Sequence, residues 1–244
     1  MSVFVAEELS EVLNTKVVIG RINMGLLNRI IIDDVLLDDQ SGQEMLKVTR
    51  LSAKFDIMPF FKGKISISSV QLFGFNINLR KETPDSPPNF KFVLDAFASK
   101  DTVKKENSLD LRINSILIRR GRMSYHVLSE EETPGKFNAK HIQLQNIIAN
   151  ISLKALSKDS LNLGIKRLSL DEKASGFSLK KMSLKLVANN KQTNIDNFTI
   201  ELPETSLKLD TIHLEYDSLK AFDRFTEQVH FSFRTLPSQV TLKD

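Results

Sequence analysis

The hydrophobic positions of this chain repeat in an eight-residue pattern. Apolar residues stand at positions one, three, six and eight, and polar residues or glycine fill the two central positions. Alternation of apolar and polar residues with few internal prolines predicts β-strands. The copies are Val17/Ile19/Ile22/Met24, Ile30/Ile32/Val35/Leu37, Leu46/Val48/Leu51/Ala53, Ile65/Ile67/Val70/Leu72, Leu111/Ile113/Ile116/Ile118, Phe137/Ala139/Ile142/Leu144, Leu163/Ile165/Leu168/Leu170, Phe177/Leu179/Met182/Leu184 and Leu207/Leu209/Ile212/Leu214.

The central pairs allow two interpretations. Each pair could form a two-residue hairpin turn, but such turns favour Asn-Gly or Asp-Gly, and Lys166-Arg167 or Lys180-Lys181 fit them poorly. Alternatively, each copy is one continuous strand with a bulge that absorbs an extra residue and keeps both apolar pairs on one face. The second interpretation predicts long, bent strands with a single apolar side.

Helical periodicity appears in three short segments, Ser2–Asn14, Asn89–Lys100 and Asp217–Glu227. Ser2 and Asn89 are candidate N-caps of the first two. Connections are predicted at residues 38–44, 81–88, 101–108 and 129–135, which are rich in charged, Gly, Pro and Ser residues.

These elements predict a mostly-β protein with one elongated, curved, largely antiparallel sheet and three short helices. We expect residues 1–100 to form the start of the sheet, with the first two helices capping it, and residues 101–244 to continue the same sheet. Three helices are too few to cover a whole apolar face. The sequence leaves open whether that face is filled, as in a β-sandwich core, or accepts an acyl chain or a peptide strand.

Composition removes several classes of function. The chain has 244 residues and a net charge of 34 − 30 = +4, too weak to indicate nucleic acid. The absence of cysteine excludes disulfides, thiolate zinc sites and a cysteine nucleophile, and the absence of tryptophan disfavours a carbohydrate-binding module. We find neither a run of about 18 apolar residues nor a signal-peptide pattern.

Residues with chemical potential are sparse. Asp38, Gln40 and Glu44 around Gly42 offer oxygen ligands for Ca²⁺, but the spacing is not an EF-hand, and a solvated hairpin turn is favoured. A basic cluster could contact anionic headgroups or form a solvated strand face; it comprises Lys180, Lys181, Lys185 and Lys191.

The four histidines stand in no metal-ligand spacing, and no nucleophile elbow, P-loop or dinucleotide motif is present. His126, His213 and His230 each fall on a polar position of a predicted strand. We therefore expect no enzymatic activity, catalytic residue, metal or cofactor.

Several segments stand in an order known from one family. They are Leu13–Gly20, Arg29–Asp39, Ser41-Gly42, Leu46–Phe55, Pro59–Gly63, Ile65–Leu72, Gly74–Leu79, the helix with Phe90, Val93 and Leu94, and Arg120–Tyr125. In this order the first 125 residues resemble the N-terminal module of the AsmA-like/TamB family. The later strands fit more loosely, and residues 229–244 resemble the start of a further repeat.

The resemblance implies a bacterial envelope protein in the periplasm, held in the inner membrane by an anchor that this chain lacks. Its sheet would form a U-shaped hydrophobic groove, as in the chorein-like proteins that carry phospholipid between membranes. The expected groove residues are Ile65, Ile67, Val70, Leu72, Leu111, Ile113, Ile116, Ile118, Leu163, Ile165, Leu168, Leu170, Phe177, Leu179, Leu207 and Leu209.

Four functional hypotheses follow. The first is that the chain shields or conducts phospholipid acyl chains between the inner and outer membranes. The second is a scaffold that assists outer-membrane β-barrel assembly by templating a strand at an open sheet edge. A closed β-sandwich adhesin or carbohydrate-binding module and an enzyme are the remaining alternatives. Phospholipid, the inner membrane and an outer-membrane β-barrel protein are the expected partners, and nucleic acid is not.

Overall fold

A computed structural model describes residues 2–26, 28–55, 67–98, 114–157 and 160–241. The predicted groove residues Ile65, Leu111 and Ile113 lie outside these ranges, as does the predicted linker at 101–108.

The described chain forms an open, mixed sheet with three short helices, which confirms the mostly-β prediction. Its strands are β1 Val17–Gly25, β2 Arg29–Asp38, β3 Glu44–Phe55, β4 Ile67–Lys81, β5 Ser115–Val127, β6 His141–Ser157, β7 Ser160–Glu172, β8 Ser178–Asn189, β9 Gln192–Glu201, β10 Ser206–Tyr216 and β11 Val229–Thr235. The helices are α1 Ser2–Leu13, α2 Lys91–Ala98 and α3 Phe225–Gln228, with a 3₁₀ turn at Leu219–Arg224 before α3. The strands lie side by side in chain order from β1 to β11.

One step in the largely antiparallel sheet is parallel. Strands β1 to β4 and β8 to β11 pair in antiparallel ladders. At the C-terminal ends of β4 and β5, however, the backbone N–H of Leu128 donates to Lys81 O. The backbone N–H of Ser129 donates to Glu82 O. The two segments advance together, as parallel strands do. A parallel step needs a crossover, and the segment between these strands contains α2.

The hairpin interpretation of the central pairs is wrong for β1, β2, β3, β7 and β10, because each of these strands runs through its copy without a turn. Instead, one cross-strand residue pair is absent from the ladder at the centre of the copies in β1, β2, β3 and β10. Pairing resumes in unchanged register on both sides of Gly20–Asp34, Asp34–Thr49 and Thr49–Gly74. Neighbouring strands therefore carry their extra residues opposite each other, and no strand slips against the next.

One-sided bulges occur elsewhere. In β4, Ser68 is the extra residue, because Lys54 pairs with Ser69 and Phe55 with Ile67. Between β10 and β11 the register shifts at Asp210. Both Ser68 and Asp210 belong to predicted central pairs.

Two copies of the repeat differ from the bulge prediction. Residues Phe137 and Ala139 precede β6 in a turn that Asn138 closes by bridging to His141. In β8 the ladder with β9 shifts between Ser183 and Lys185 rather than at the predicted Lys180-Lys181 pair.

The first two helices pack on the apolar side of β1–β3. Ala6 and Leu13 of α1 are buried with Val17, Ile19 and Leu37, and Val93 and Ala96 of α2 pack against the same cluster. The predicted N-cap role of Asn89 is wrong. Its side chain accepts from Arg80 N and donates to Asn78 O and Asp39 Oδ2, which fastens the start of α2 to β4.

Contacts divide the described chain into two compact units. The first contains the described residues between 2 and 98, Leu117–Ile147 and Asp171–Gly176. The second contains Asn114–Ile116, Ile148–Leu170 and residues 177–241.

Gly20, Asp34, Thr49 and Gly74 form a line of extra residues across β1–β4. Gly74 and Gly42 provide a matched test of the packing along this line. Both have positive φ, at 64° and 79°, but a Cβ on Gly74 would lie 2.7 Å from Thr49 Oγ1, whereas Gly42 faces open space. We expect Gly42→Ala to cost about 1–2 kcal/mol of stability from backbone strain alone. Gly74→Ala should cost more stability than Gly42→Ala. Adding Thr49→Ala to Gly74→Ala should restore part of that lost stability. Chemical denaturation measures all three; equal losses in the two glycine variants would contradict the steric role of Thr49.

Candidate functional site

The ladders of the second unit align apolar side chains into rows on one face of β8–β11. Residues that pair across neighbouring strands project from the same face of a sheet. The apolar rows are Met182–Ile200–Leu207, Leu186–Ile195–Ile212–Phe233, Phe198–Leu209 and Leu214–Phe231. We call these residues the apolar face.

The apolar face is incompletely buried. All of its residues on β8, β9 and β10 are half-buried, and the only fully buried apolar residues of these strands are Leu179 and Tyr216. The inner face of a β-sandwich would instead be filled by residues of an opposing layer. The apolar face therefore retains surface that a further hydrophobic group can cover.

Aromatic residues extend the apolar face at β11. Phe231 and Phe233 are 55% and 56% exposed and stack with their ring planes 3° apart. Phe225 of α3 contacts Phe231, with ring centroids 5.9 Å apart. The last strand therefore presents an exposed aromatic pair rather than a charged edge.

The other predicted groove residues are also mainly half-buried. This group contains Ile67, Val70 and Leu72 of β4, Ile116 and Ile118 of β5, and Leu163, Ile165, Leu168 and Leu170 of β7. Phe177 is exposed and Leu179 is buried, while Leu207 and Leu209 belong to the apolar face.

Sequence analysis missed the contribution of β9. Thr193, Ile195, Phe198 and Ile200 have the spacing of the repeat, and Asn197 at its centre has a φ of 52°. The first position of this copy is threonine, so a pattern that requires four apolar residues does not match it. Its polar central pair was the available signal.

The opposite face of the same strands is polar. Lys181 forms an ion pair with Glu201 at 3.4 Å, and Lys185 stands opposite Asp196 in the ladder. Lys191 lies outside this face and donates to Asp217 O. Of the four lysines of the predicted basic cluster, Lys181 and Lys185 therefore have acidic neighbours on this polar face.

At the turn of residues 38–44, Gln40 and Glu44 are exposed, but Asp38 and Asp39 are buried, which the expectation of a solvated turn missed. Asp39 is only 2% exposed. Its Oδ1 accepts from the N–H and Oγ of Ser41 and from Gln43 N, and its Oδ2 accepts from Arg80 and Asn89. Both carboxylate oxygens therefore hold the turn, β4 and the start of α2 together.

Asp33 is also buried. It accepts a hydrogen bond of 2.6 Å from Arg50 Nε on β3, and this bond holds the pKa of the Asp33 carboxyl below its usual value. Burial opposes that shift. Asp33 thus joins β2 to β3 beside the line of extra residues.

Glu172, at the end of β7, is a second buried turn residue that sequence analysis did not single out. It accepts from the Ser175 hydroxyl and from the backbone N–H groups of Ser175, Gln143 and Ala174. Burial raises the pKa of Glu172, but these hydrogen bonds outweigh it and leave the pKa lowered. Glu172 fixes the connection after β7 against the start of β6.

The Asp39 contacts predict a pH-dependent contribution to stability. Burial raises the Asp39 pKa, but the hydrogen bonds to its carboxylate outweigh this and lower it. The pKa of Asp39 in the folded protein lies below its unfolded pKa of about 3.9. The stabilisation is therefore complete at pH values above the unfolded pKa and is lost as pH falls through the folded pKa. Asp39→Asn should cost about 1–3 kcal/mol at pH 7 and flatten the acid limb of the stability curve. Denaturant unfolding at several pH values measures this.

The exposed Asp85→Asn variant is the matched control and should keep the wild-type acid limb. An Asp39→Asn protein with unchanged stability at pH 7 would contradict the clamping role of Asp39.

Two histidines that the sequence places fifteen residues apart are brought together in the first unit. Nδ1 of His126, on β5, lies 3.0 Å from Nδ1 of His141, on β6. Their spacing in the sequence gives no sign of this contact, which forms because the connection between β5 and β6 turns back on itself.

Comparison with known proteins does not extend this description. No family model matches the chain, and no curated protein matches it. None of the described helices has the length and hydrophobicity needed to cross a membrane.

Proposed function

We propose that this chain shields or conducts phospholipid acyl chains along the apolar face. In this proposal it is a periplasmic segment of a TamB/AsmA-like envelope protein that is anchored in the inner membrane and passes lipid between the inner and outer membranes. The observation that carries the proposal is the half-buried state of the cross-strand rows of β8–β10.

The dimensions of the apolar face suit a chain-like ligand. Four strands spaced about 4.8 Å apart give a width of roughly 14 Å, and the longest extent of the face, from Leu207 to Leu214 on β10, is about 24 Å. The rows are continuous across the strands, so an acyl chain can lie along or across them. Each methylene removed from water contributes about 0.8 kcal/mol.

The proposed mechanism is passive. Acyl chains contact Ile195, Ile212 and their neighbours, and the headgroup stays in solvent. Met182, Leu186 and the other members of the face provide contact area without directional bonds. Such a face discriminates weakly among lipids, because apolar contacts depend on buried area rather than on a set of hydrogen bonds. No covalent step and no catalytic residue are involved.

Adjacent residues of β9 on opposite faces test this proposal. Ile195 belongs to the apolar face, whereas Asn194 projects from the polar face and accepts from His213. Detergent-free wild-type protein should release near-stoichiometric phospholipid on organic extraction. Ile195→Glu should reduce the lipid at least about tenfold, because a charge on the apolar face opposes burial by an acyl chain. Lipid mass spectrometry of the extract measures this.

Asn194→Glu is the matched control, since it adds the same charge one residue away and keeps an acceptor for His213. It should retain wild-type lipid, and circular dichroism should show that both variants keep the fold. A lipid-free wild-type protein, or equal lipid in the two variants, would contradict the acyl-chain proposal.

Strand β11 favours a second candidate function, assembly of an outer-membrane β-barrel protein by strand templating. It is the last strand in the sheet order and has β10 as its strand neighbour. Six of its seven residues are exposed, including Phe231 and Phe233. An edge of this kind can receive an incoming strand. Lipid-free wild-type protein that binds an unfolded barrel protein through β11 would favour this function.

A further inference from the structure

The pair of histidines in the first unit has a defined arrangement of protons. Nε2 of His141 lies 2.8 Å from Glu130 O, which can only accept, so the network assigns the proton to that nitrogen. In neutral His141, Nδ1 then carries no proton and offers a lone pair. It faces Nδ1 of His126, which donates across the 3.0 Å contact.

Bonding of the outer ring nitrogen to a carbonyl is the usual support of a metal-binding histidine. Such a bond fixes the tautomer and orients the opposite nitrogen toward the metal. His141 is only 7% exposed, which further restricts its ring. The ring centroids of the two histidines are 5.3 Å apart with planes tilted by 53°, so their Nδ1 atoms converge without stacking.

A carboxylate completes the cluster. Glu132 Oε1 lies 3.8 Å from His126 Nδ1, and the three ligand atoms all lie within 4.8 Å of one another. The segment that carries Glu132 is held on both sides, because Asn138 donates to Glu131 O and Gly135 N donates to Ala174 O. The carboxylate therefore approaches from an ordered connection.

Two of the three ligand separations are close to those around a tetrahedral ion, and the third is within 4.8 Å. Zinc–nitrogen bonds of about 2.0–2.1 Å place adjacent tetrahedral ligands about 3.3 Å apart. The observed 3.0 Å and 3.8 Å separations bracket that value, so small side-chain movements suffice. A pocket of about 320 Å³ beside His141 and Glu132 leaves space for water as a fourth ligand.

We propose that His126 Nδ1, His141 Nδ1 and the Glu132 carboxylate bind one divalent first-row transition ion, with Zn²⁺ as the expected occupant. Two imidazoles and one carboxylate are a ligand set that zinc accepts. Binding requires the His126 proton to move from Nδ1 to Nε2 through solvent, so that both imidazoles bind as neutral ligands through Nδ1. The ion joins β5, β6 and the connection between them, and it is independent of the apolar face, which lies in the second unit.

Zn²⁺ titration of the full chain by calorimetry tests the site. Wild-type protein should bind one Zn²⁺ per chain, and Co²⁺ should give the visible absorption of a four-coordinate site. His126→Ala should weaken binding by at least about a hundredfold, and Glu132→Gln by about tenfold. Glu132 is an exposed side chain, so its variant keeps the test valid if a histidine variant fails to fold.

His213→Ala is the matched control. His213 is also a strand histidine with two partners, Asn194 and Glu215, but it lies outside the cluster. Retention of wild-type Zn²⁺ affinity in His213→Ala, together with loss in His126→Ala and Glu132→Gln, would support the site. Absence of one-to-one binding by the wild type, or equal affinity in the wild type and the two cluster variants, would overturn it.

Discussion

The pairing of extra residues between neighbouring strands is the constraint on which the first part of the sheet depends. An extra residue in one strand alone shifts the register of everything beyond it. Here Gly20, Asp34, Thr49 and Gly74 face one another in successive strands, so each ladder resumes with the same partners. Because Asp34 and Gly74 take positive φ, the backbone bends at this line without loss of pairing on either side.

This arrangement explains why apolar residues can stay on one face across an irregular spacing. In β9 and β10, Ile195 pairs with Ile212 and Phe198 with Leu209 on either side of the missing Asn197–Asp210 pair. A regular strand would have sent one of these pairs to the polar face. The half-buried apolar face is therefore a direct product of the repeat, and it needs no specialised residue.

Strand content and the irregular centre of each copy were predictable because both depend on local patterns. The parallel step between β4 and β5 was not, because strand direction depends on a crossover that no local pattern reports. The role of Asp39 in holding the turn was also missed, because its partners Arg80 and Asn89 are distant in sequence. Only folding brings them to the turn. Likewise, His126 and His141 converge only because the connection between β5 and β6 returns the chain.

Besides the Asp33–Arg50 pair in the middle of β2 and β3, three buried polar residues of the first unit lie at the ends of strands. Asp39 follows β2, Glu172 ends β7, and His141 begins β6, and each uses its side chain to hold a connection. The strand centres are left with apolar side chains on one face. Such a division separates fixed polar sites from a permissive apolar surface. A lipid on the apolar face and an ion at a strand end would accordingly use different residues, so either could be lost by substitution without loss of the other.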